Sequence, residues 1–174
     1  LVNRVTPGLF AAYPTPAKLA AAPLPEVETA IRRIGLYRNK AKNIRLCAEA
    51  LVRDHGGEVP KTMEELTALA GVGRKTANVV LGNAFGIEEG IVVDTHVTRL
   101  SNRLALVRNE TDAVKIERLL QKIVPRQDWT LFSHLLIWHG RRRCVARKPD
   151  CAGCELLDLC PRRGVTASTL DKAP

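Results

Sequence analysis

Leu69-Ala70-Gly71-Val72-Gly73-Arg74-Lys75-Thr76-Ala77 is the stretch from which the rest of the chain is read. Two glycines two apart let a backbone turn tightly and approach a ligand with no Cβ in the way. Just upstream, Thr62 with Glu65 three residues on forms a capping box, and Arg74 opens a second helix, so residues 62–85 read as helix, hairpin, helix. The N–H groups of Val72 to Lys75 then stand at a positive helix end, where they suit a phosphate. A bare Gly-x-Gly is more often an ordinary glycine-capped turn. Two basic residues directly after it, on a basic chain, shift the reading toward a phosphate cradle.

Outward from the hairpin the pattern stays helical. Tyr37, Ala41, Ile44, Ala48 and Leu51 form one face of a helix that ends near Gly56-Gly57, with Cys47 beside the stripe as a small core residue. Further starts are expected at Thr15 before Pro16, at Asp94, at Thr111 and at Asp128, and stops at Gly35, Gly71, Gly86 and Gly140, with Pro125 closing the helix of Ile116, Leu119, Leu120 and Ile123. Ile91, Val92 and Val93 read as a buried connector rather than a strand. Pro7 conflicts with a straight helix over 2–12, which must kink there or start late. The sum is an all-α chain of short helices.

Composition fits a packed core. Of 174 residues 45% are hydrophobic and 26% charged, which excludes a disordered or low-complexity chain. Lys and Arg outnumber Asp and Glu by 27 to 18, a net charge of +9, and the first partner to consider for such a surface is nucleic acid. No apolar run reaches the roughly 18 residues of a membrane span. The start at Leu1, without Met and without an export signal, suggests missing upstream sequence and a cytoplasmic protein.

Three sets of side chains could carry chemistry. Lys75 sits in the first turn of its helix, where the positive helix end favours a neutral amine. That effect is about 0.3 to 1 kcal/mol, under one pKa unit, so a lysine nucleophile needs desolvation or neighbouring cations as well. Asp94, at a helix start before Thr95-His96, can cap N–H groups while staying ionised. Cys144, Cys151, Cys154 and Cys160 can wrap one inorganic core, and with a single two-residue knuckle among them an iron-sulfur cluster is favoured over structural zinc. Seven basic residues around them, including Arg147 and Lys148, make a phosphate-binding surface on a loop pinned by that core.

The hairpin with Lys75, Val93-Asp94-Thr95-His96 downstream and then the four-cysteine loop together resemble the endonuclease III family of the helix-hairpin-helix DNA glycosylase superfamily, from near Val2 to about Arg163. The resemblance implies a two-lobed helical glycosylase fold with a helix-hairpin-helix motif and a C-terminal iron-sulfur cluster loop. It implies removal of oxidised pyrimidines from duplex DNA and nicking of the abasic site. Lys75 matches the nucleophile and Asp94 the catalytic carboxylate; Gly71, Val72, Gly73 and Arg74 match the DNA-binding hairpin; Leu36 and His96 match residues inserted where the base has flipped out; and the cysteines match 4Fe-4S ligands. Expected organisation is a hairpin-bearing helical lobe over 1–93, a cluster lobe over 94–164 and a flexible tail over 165–174. The expected partner is double-stranded DNA containing damaged bases or abasic sites, bound by a monomer. Family members also carry an upstream apolar helix and a gap-filling glutamine, which this sequence lacks, so it is expected to be part of a longer protein. A monofunctional adenine glycosylase would lack a lysine at position 75, a non-catalytic DNA-binding module would not nick an abasic duplex, and an electron carrier would have no use for the hairpin.

Overall fold

The computed structural model describes residues 1–165 and shows no strand among them. The chain divides into two compact units, Leu1–Ala77 and Asn78–Pro174. This contact boundary lies ahead of the 93/94 division read from the sequence. Of the expected tail only Val165 is described; 166–174 lie outside the described residues.

The first unit holds α1 (Val2–Ala12), α2 (Pro16–Ala20), α3 (Leu24–Ala30), α4 (Tyr37–His55) and α5 (Met63–Ala68), and α6 (Arg74–Val80) begins in it. The core gathers Leu9, Ala22, Val27, Ile31 and Ala41, with Tyr37 and Ile44 of the α4 stripe packed against it. Helix α4 ends where Gly56 takes a left-handed φ of 62° that its lack of a Cβ permits, and its N–H bonds Leu51 O. The capping box at α5 is present: Thr62 Oγ1 accepts from the Glu65 N–H at 3.2 Å and donates to the Glu65 carboxylate at 2.6 Å. Helix α1 does not start late; it begins at Val2 and contains Pro7, which, lacking an N–H, removes one rung of the ladder. Cys47 is half-buried along an apolar groove with Ile44, Leu51 and Val72, not enclosed in the core, and burial pushes its thiol up.

The second unit holds α7 (Thr95–Arg103), α8 (Ala113–Leu120) and α9 (Trp129–Arg142) around Ile91, Val97, Leu100, Ile116, Leu120 and Leu136. Helix α6 runs on into a π-turn, Leu81–Phe85, closed by Gly86 at a φ of 66°. Ile91, Val92 and Val93 form the expected buried connector. One helix start differs from expectation. Asp112, not Thr111, caps α8 by accepting from the Val114 and Lys115 N–H groups. Asp128 stands at the N-cap of α9, where a start is expected, but makes no side-chain cap bond, because Arg126–Asp128 already forms a 3-10 turn leading into the helix. Gly140 does not stop α9 but lies inside it: a Cβ there would stand 3.0 Å from His96 Cβ and 3.1 Å from Arg99 Nη2, so glycine lets α7 approach.

Candidate active site and cysteine loop

Local bonds shape the turn of the hairpin. Helix α5 stops at Leu69, whose carbonyl accepts from the Val72 N–H at 3.1 Å, and Gly71 turns the chain with a φ of 78°. A Cβ on Gly71 would stand 3.0 Å from Asn43 Cβ of α4, so the position is constrained by both conformation and space. With the Val72 N–H used by the turn, the cradle read at 72–75 begins one residue later, at Gly73. Gly73 is exposed and faces open space, and Arg74 and Lys75 are exposed in the first turn of α6.

Leu36 precedes α4 in the left-handed conformation, φ 58° and ψ 33°, and is 79% exposed. A leucine gains nothing from either state, so packing in the core does not explain it. Exposed Arg32, Arg33 and Arg38 flank it in sequence, Arg38 stacking on the Tyr37 ring at 5.1 Å.

Asp94 caps α7 as its sequence context implies. One oxygen, Oδ1, accepts from the His96 N–H at 2.7 Å and the Val97 N–H at 2.9 Å. Both bonds fall on the same atom, so the second carboxylate oxygen has no hydrogen-bond partner among the described residues. The bonds hold the carboxylate still at the end of a buried connector, and the helix dipole favours its negative charge. Half-buried His96 places Nδ1 3.1 Å from Arg99 Nη2, which makes Nδ1 the accepting nitrogen.

Cys144, Cys151, Cys154 and Cys160 line one cavity together with Leu100, Leu104, Leu157 and Pro149. None is in a disulfide. The sulfurs receive donors: Arg103 Nη1 to Cys144 Sγ at 3.2 Å, the Leu156 N–H to Cys154 Sγ and the Arg162 N–H to Cys160 Sγ, each at 3.4 Å. Such bonds suit thiolates. Burial, then the neighbouring cysteines, pushes the Cys151 thiol up, a repulsion that a bound cationic core would remove. No three of these sulfurs lie within 4.8 Å of one another among the described residues; the one set that does is His139, Cys154 and Glu155. A single tetrahedral zinc, with bonds of about 2.3 Å, would draw four sulfurs to roughly 3.8 Å apart. Four cysteine sulfurs around one cavity, three of them receiving N–H donors, fit an inorganic core held by thiolates.

Two arginines that no local sequence signal announces hold this loop. Arg103, 8% exposed on α7, donates to Val145 O at 2.8 Å and Ala146 O at 2.9 Å as well as to Cys144, and its own carbonyl accepts from the Arg163 N–H. Arg99 donates to Gly140 O and Cys144 O, both at 2.9 Å; burial and then Arg103 beside it push its guanidinium down. At the surface Arg143 pairs with Asp150 at 2.6 Å and with Glu155 at 3.3 Å. Arg147 and Lys148 are exposed, Lys148 with a left-handed φ of 55°.

Residues 1–126 match the family described as HhH-GPD superfamily base excision DNA repair protein. The chain is 53% identical over 92% of its length to endonuclease III of Synechocystis sp., covering 73% of that protein, and 50% identical over the same share to endonuclease III of Bacillus subtilis, again covering 73%. Two solved structures, a non-covalent endonuclease III–DNA complex and a trapped endonuclease III–DNA covalent intermediate, each align with a TM-score of 0.88 at 48% identity, covering 92% of this chain and 75% of the other. A thermostable thymine-DNA glycosylase aligns with a TM-score of 0.83 at 27% identity, covering 92% of this chain and 75% of that one.

Proposed function

We infer that this chain, which belongs to the HhH-GPD superfamily of base excision DNA repair proteins, is a bifunctional DNA glycosylase and abasic-site lyase acting on oxidised pyrimidines in duplex DNA. The observation that carries the reading is an exposed lysine in the first turn of the helix after a glycine hairpin, in a chain 48% identical to an endonuclease trapped covalently on DNA. A lysine nucleophile explains a covalent intermediate; an adenine glycosylase without it would form none.

The residues divide the work. Gly73 to Lys75 present N–H groups and positive charge to the phosphates flanking the damaged nucleotide. Leu36 and His96 occupy the space left when that nucleotide flips out, which offsets part of the unstacking cost of a few kcal/mol. Lys75 Nζ attacks C1′ and the base departs with the C1′–N bond electrons. Ring opening gives a Schiff base between Nζ and C1′; loss of a C2′ proton then expels the 3′ phosphate by β-elimination, and water releases the lysine. Asp94 stabilises the cationic sugar as the base leaves and accepts or returns protons.

Cys144, Cys151, Cys154 and Cys160 are the residues that would hold a 4Fe-4S cluster. Its contribution is to order the loop that carries Arg147 and Lys148 against the DNA backbone, with no step of the reaction passing through it. In this reading 1–93 carries the hairpin and 94–164 the carboxylate and the cysteine loop, and the protein works as a monomer on cytoplasmic DNA. No helix among the described residues is long and apolar enough to cross a membrane.

Borohydride added during turnover of a duplex carrying one oxidised pyrimidine tests the proposal. A protein–DNA adduct of one chain per strand is expected. Base release or binding without any adduct would leave a monofunctional glycosylase or a DNA-binding module.

A further inference from the structure

Asn78 and Glu117 form a buried amide–carboxylate pair that the chemistry above does not use. Asn78 is 3% exposed and Glu117 4%, and Asn78 Nδ2 donates to Glu117 Oε1 at 3.0 Å. Asn78 Oδ1 is buried without a hydrogen-bond partner. Gly90 closes another side of the pair. A Cβ there would run into Glu117 Oε1 and stand 2.6 Å from Asn78 Nδ2, so the backbone passes the pair only as glycine. Burying a carboxylate and half-satisfying an amide is a poor way to gain stability, since apolar side chains of the same volume are commonly neutral or better. What such a pair provides is direction: apolar contacts tolerate sliding, whereas a short hydrogen bond fixes both the distance and the roll of the elements it joins.

The elements joined are the ones that bear the reactive groups. Asn78 lies on α6 one helical turn after Lys75, and Glu117 lies on α8. Gly90 is the root of the connector whose far end is Asp94. Further along that connector the Val92 N–H donates to buried Ser133 Oγ at 2.9 Å, and Ser133 Oγ in turn donates to Trp129 O at 2.8 Å. The connector is thus approached at its root, Gly90, by Glu117 of α8 and bonded at Val92, the middle of its apolar stretch, by Ser133 of α9. Misplacing a reacting group by about 1 Å can cost 10²-fold in rate without disturbing the rest of a site.

We propose that Asn78 and Glu117 are positioning residues for the glycosylase and lyase steps, the pair holding the helix that carries Lys75 and, through its contact with Gly90, the connector that ends at Asp94. The proposal rests on the lysine chemistry above. Its signature is a loss of rate at saturating DNA without a matching loss of affinity, and it requires the hydrogen bond rather than the charge.

The test measures the single-turnover rate of borohydride trapping with excess enzyme on a duplex carrying one abasic site. Alongside it, Kd is measured for the same duplex with an uncleavable tetrahydrofuran at that position, and folding is followed by melting. Asn78→Ala should trap 10- to 100-fold more slowly with Kd within threefold of the parent. Glu117→Gln, which keeps the shape and can still accept from Asn78 Nδ2, should stay within threefold in both. Gly90→Ala, approaching the pair from the other side, should reproduce Asn78→Ala. If Asn78→Ala does not fold, Asn78→Ser, whose hydroxyl falls short of Glu117, is read in its place. An unchanged rate per folded molecule, a fall in affinity that accounts for the fall in rate, or a loss in Glu117→Gln equal to that in Asn78→Ala would overturn the proposal. Failure of the parent protein to trap at all would instead overturn the lysine chemistry.

Discussion

In the proposed function the hairpin at 69–75 and the cysteine loop at 144–160 are both irregular segments offered to the same polyanion, yet they are held in opposite ways. The hairpin stands on its neighbours in sequence: Leu69 bonds Val72, Gly71 turns the chain, and the reactive residues are left exposed. The cysteine loop is held by residues far away in sequence, above all Arg103, which reaches Cys144, Val145 and Ala146 across 41 to 43 positions. Local bonds suffice where a phosphate must be met by backbone. A loop that must gather four sulfurs and still present charge needs support from another helix. A side chain at the tip of the hairpin is therefore expected to be cheap to change structurally and expensive chemically, and one under the cysteine loop the reverse.

Lys75→Gln breaks the comparison most sharply. The trapped adduct should fall by roughly 10³-fold or more while the melting point and damaged-duplex affinity hold, because an exposed residue carries the bond-forming step. A protein that loses its fold instead would show that the hairpin is not merely local. Asp94→Asn should slow base release by roughly 10²-fold, the size typical of lost transition-state electrostatics, and asparagine caps about as well as aspartate, so stability should scarcely move. Full activity per folded molecule would reduce Asp94 to a cap.

Arg103→Ala should do the opposite. Carbonyls at Val145 and Ala146 lose their donor, each costing about 1 to 3 kcal/mol, so the loop should loosen, bound iron and sulfide should fall from about four each per chain, and lyase rate should decline only through weaker DNA binding. Arg103→Lys should not restore the iron, because one ammonium cannot reproduce the planar fork. Zinc without labile sulfide in the parent protein would contradict the cluster. The smallest effect is expected from neutralising Arg147 and Lys148 together: affinity should weaken alike for every duplex, and the log–log salt slope should fall by about 1.8, at roughly 0.9 per lost phosphate contact. An unchanged slope would place the loop off the DNA.

The same contrast explains what could be read from the sequence. Helix content, the α4 stripe, the capping box at Thr62, the hairpin and the Asp94 cap all depend on spacings of a few residues, and those were legible. Gly140 was read as a stop because a glycine near a helix end usually is one; only the approach of His96 and Arg99 from α7 shows that it makes room inside a helix. Asp112 replaced Thr111 as a cap by a one-residue shift that propensity alone does not resolve. Arg99, Arg103, Asn78, Glu117 and Ser133 left no trace at all, since each is a polar residue on a helix whose partner lies about 40 positions away or more. Leu36 is the intermediate case: its left-handed backbone and 79% exposure set aside core packing, while the inserted role implied by the resemblance stays part of the proposal.

The central claim is that the amine of Lys75 forms the covalent bond to DNA, and mapping the adduct tests it most directly. After borohydride trapping on a duplex with one abasic site, nuclease and protease digestion should leave one peptide carrying the reduced sugar remnant, with the added mass on Lys75. The modification found on another amine, such as Lys40, Lys61 or the chain's N-terminus, would contradict the account.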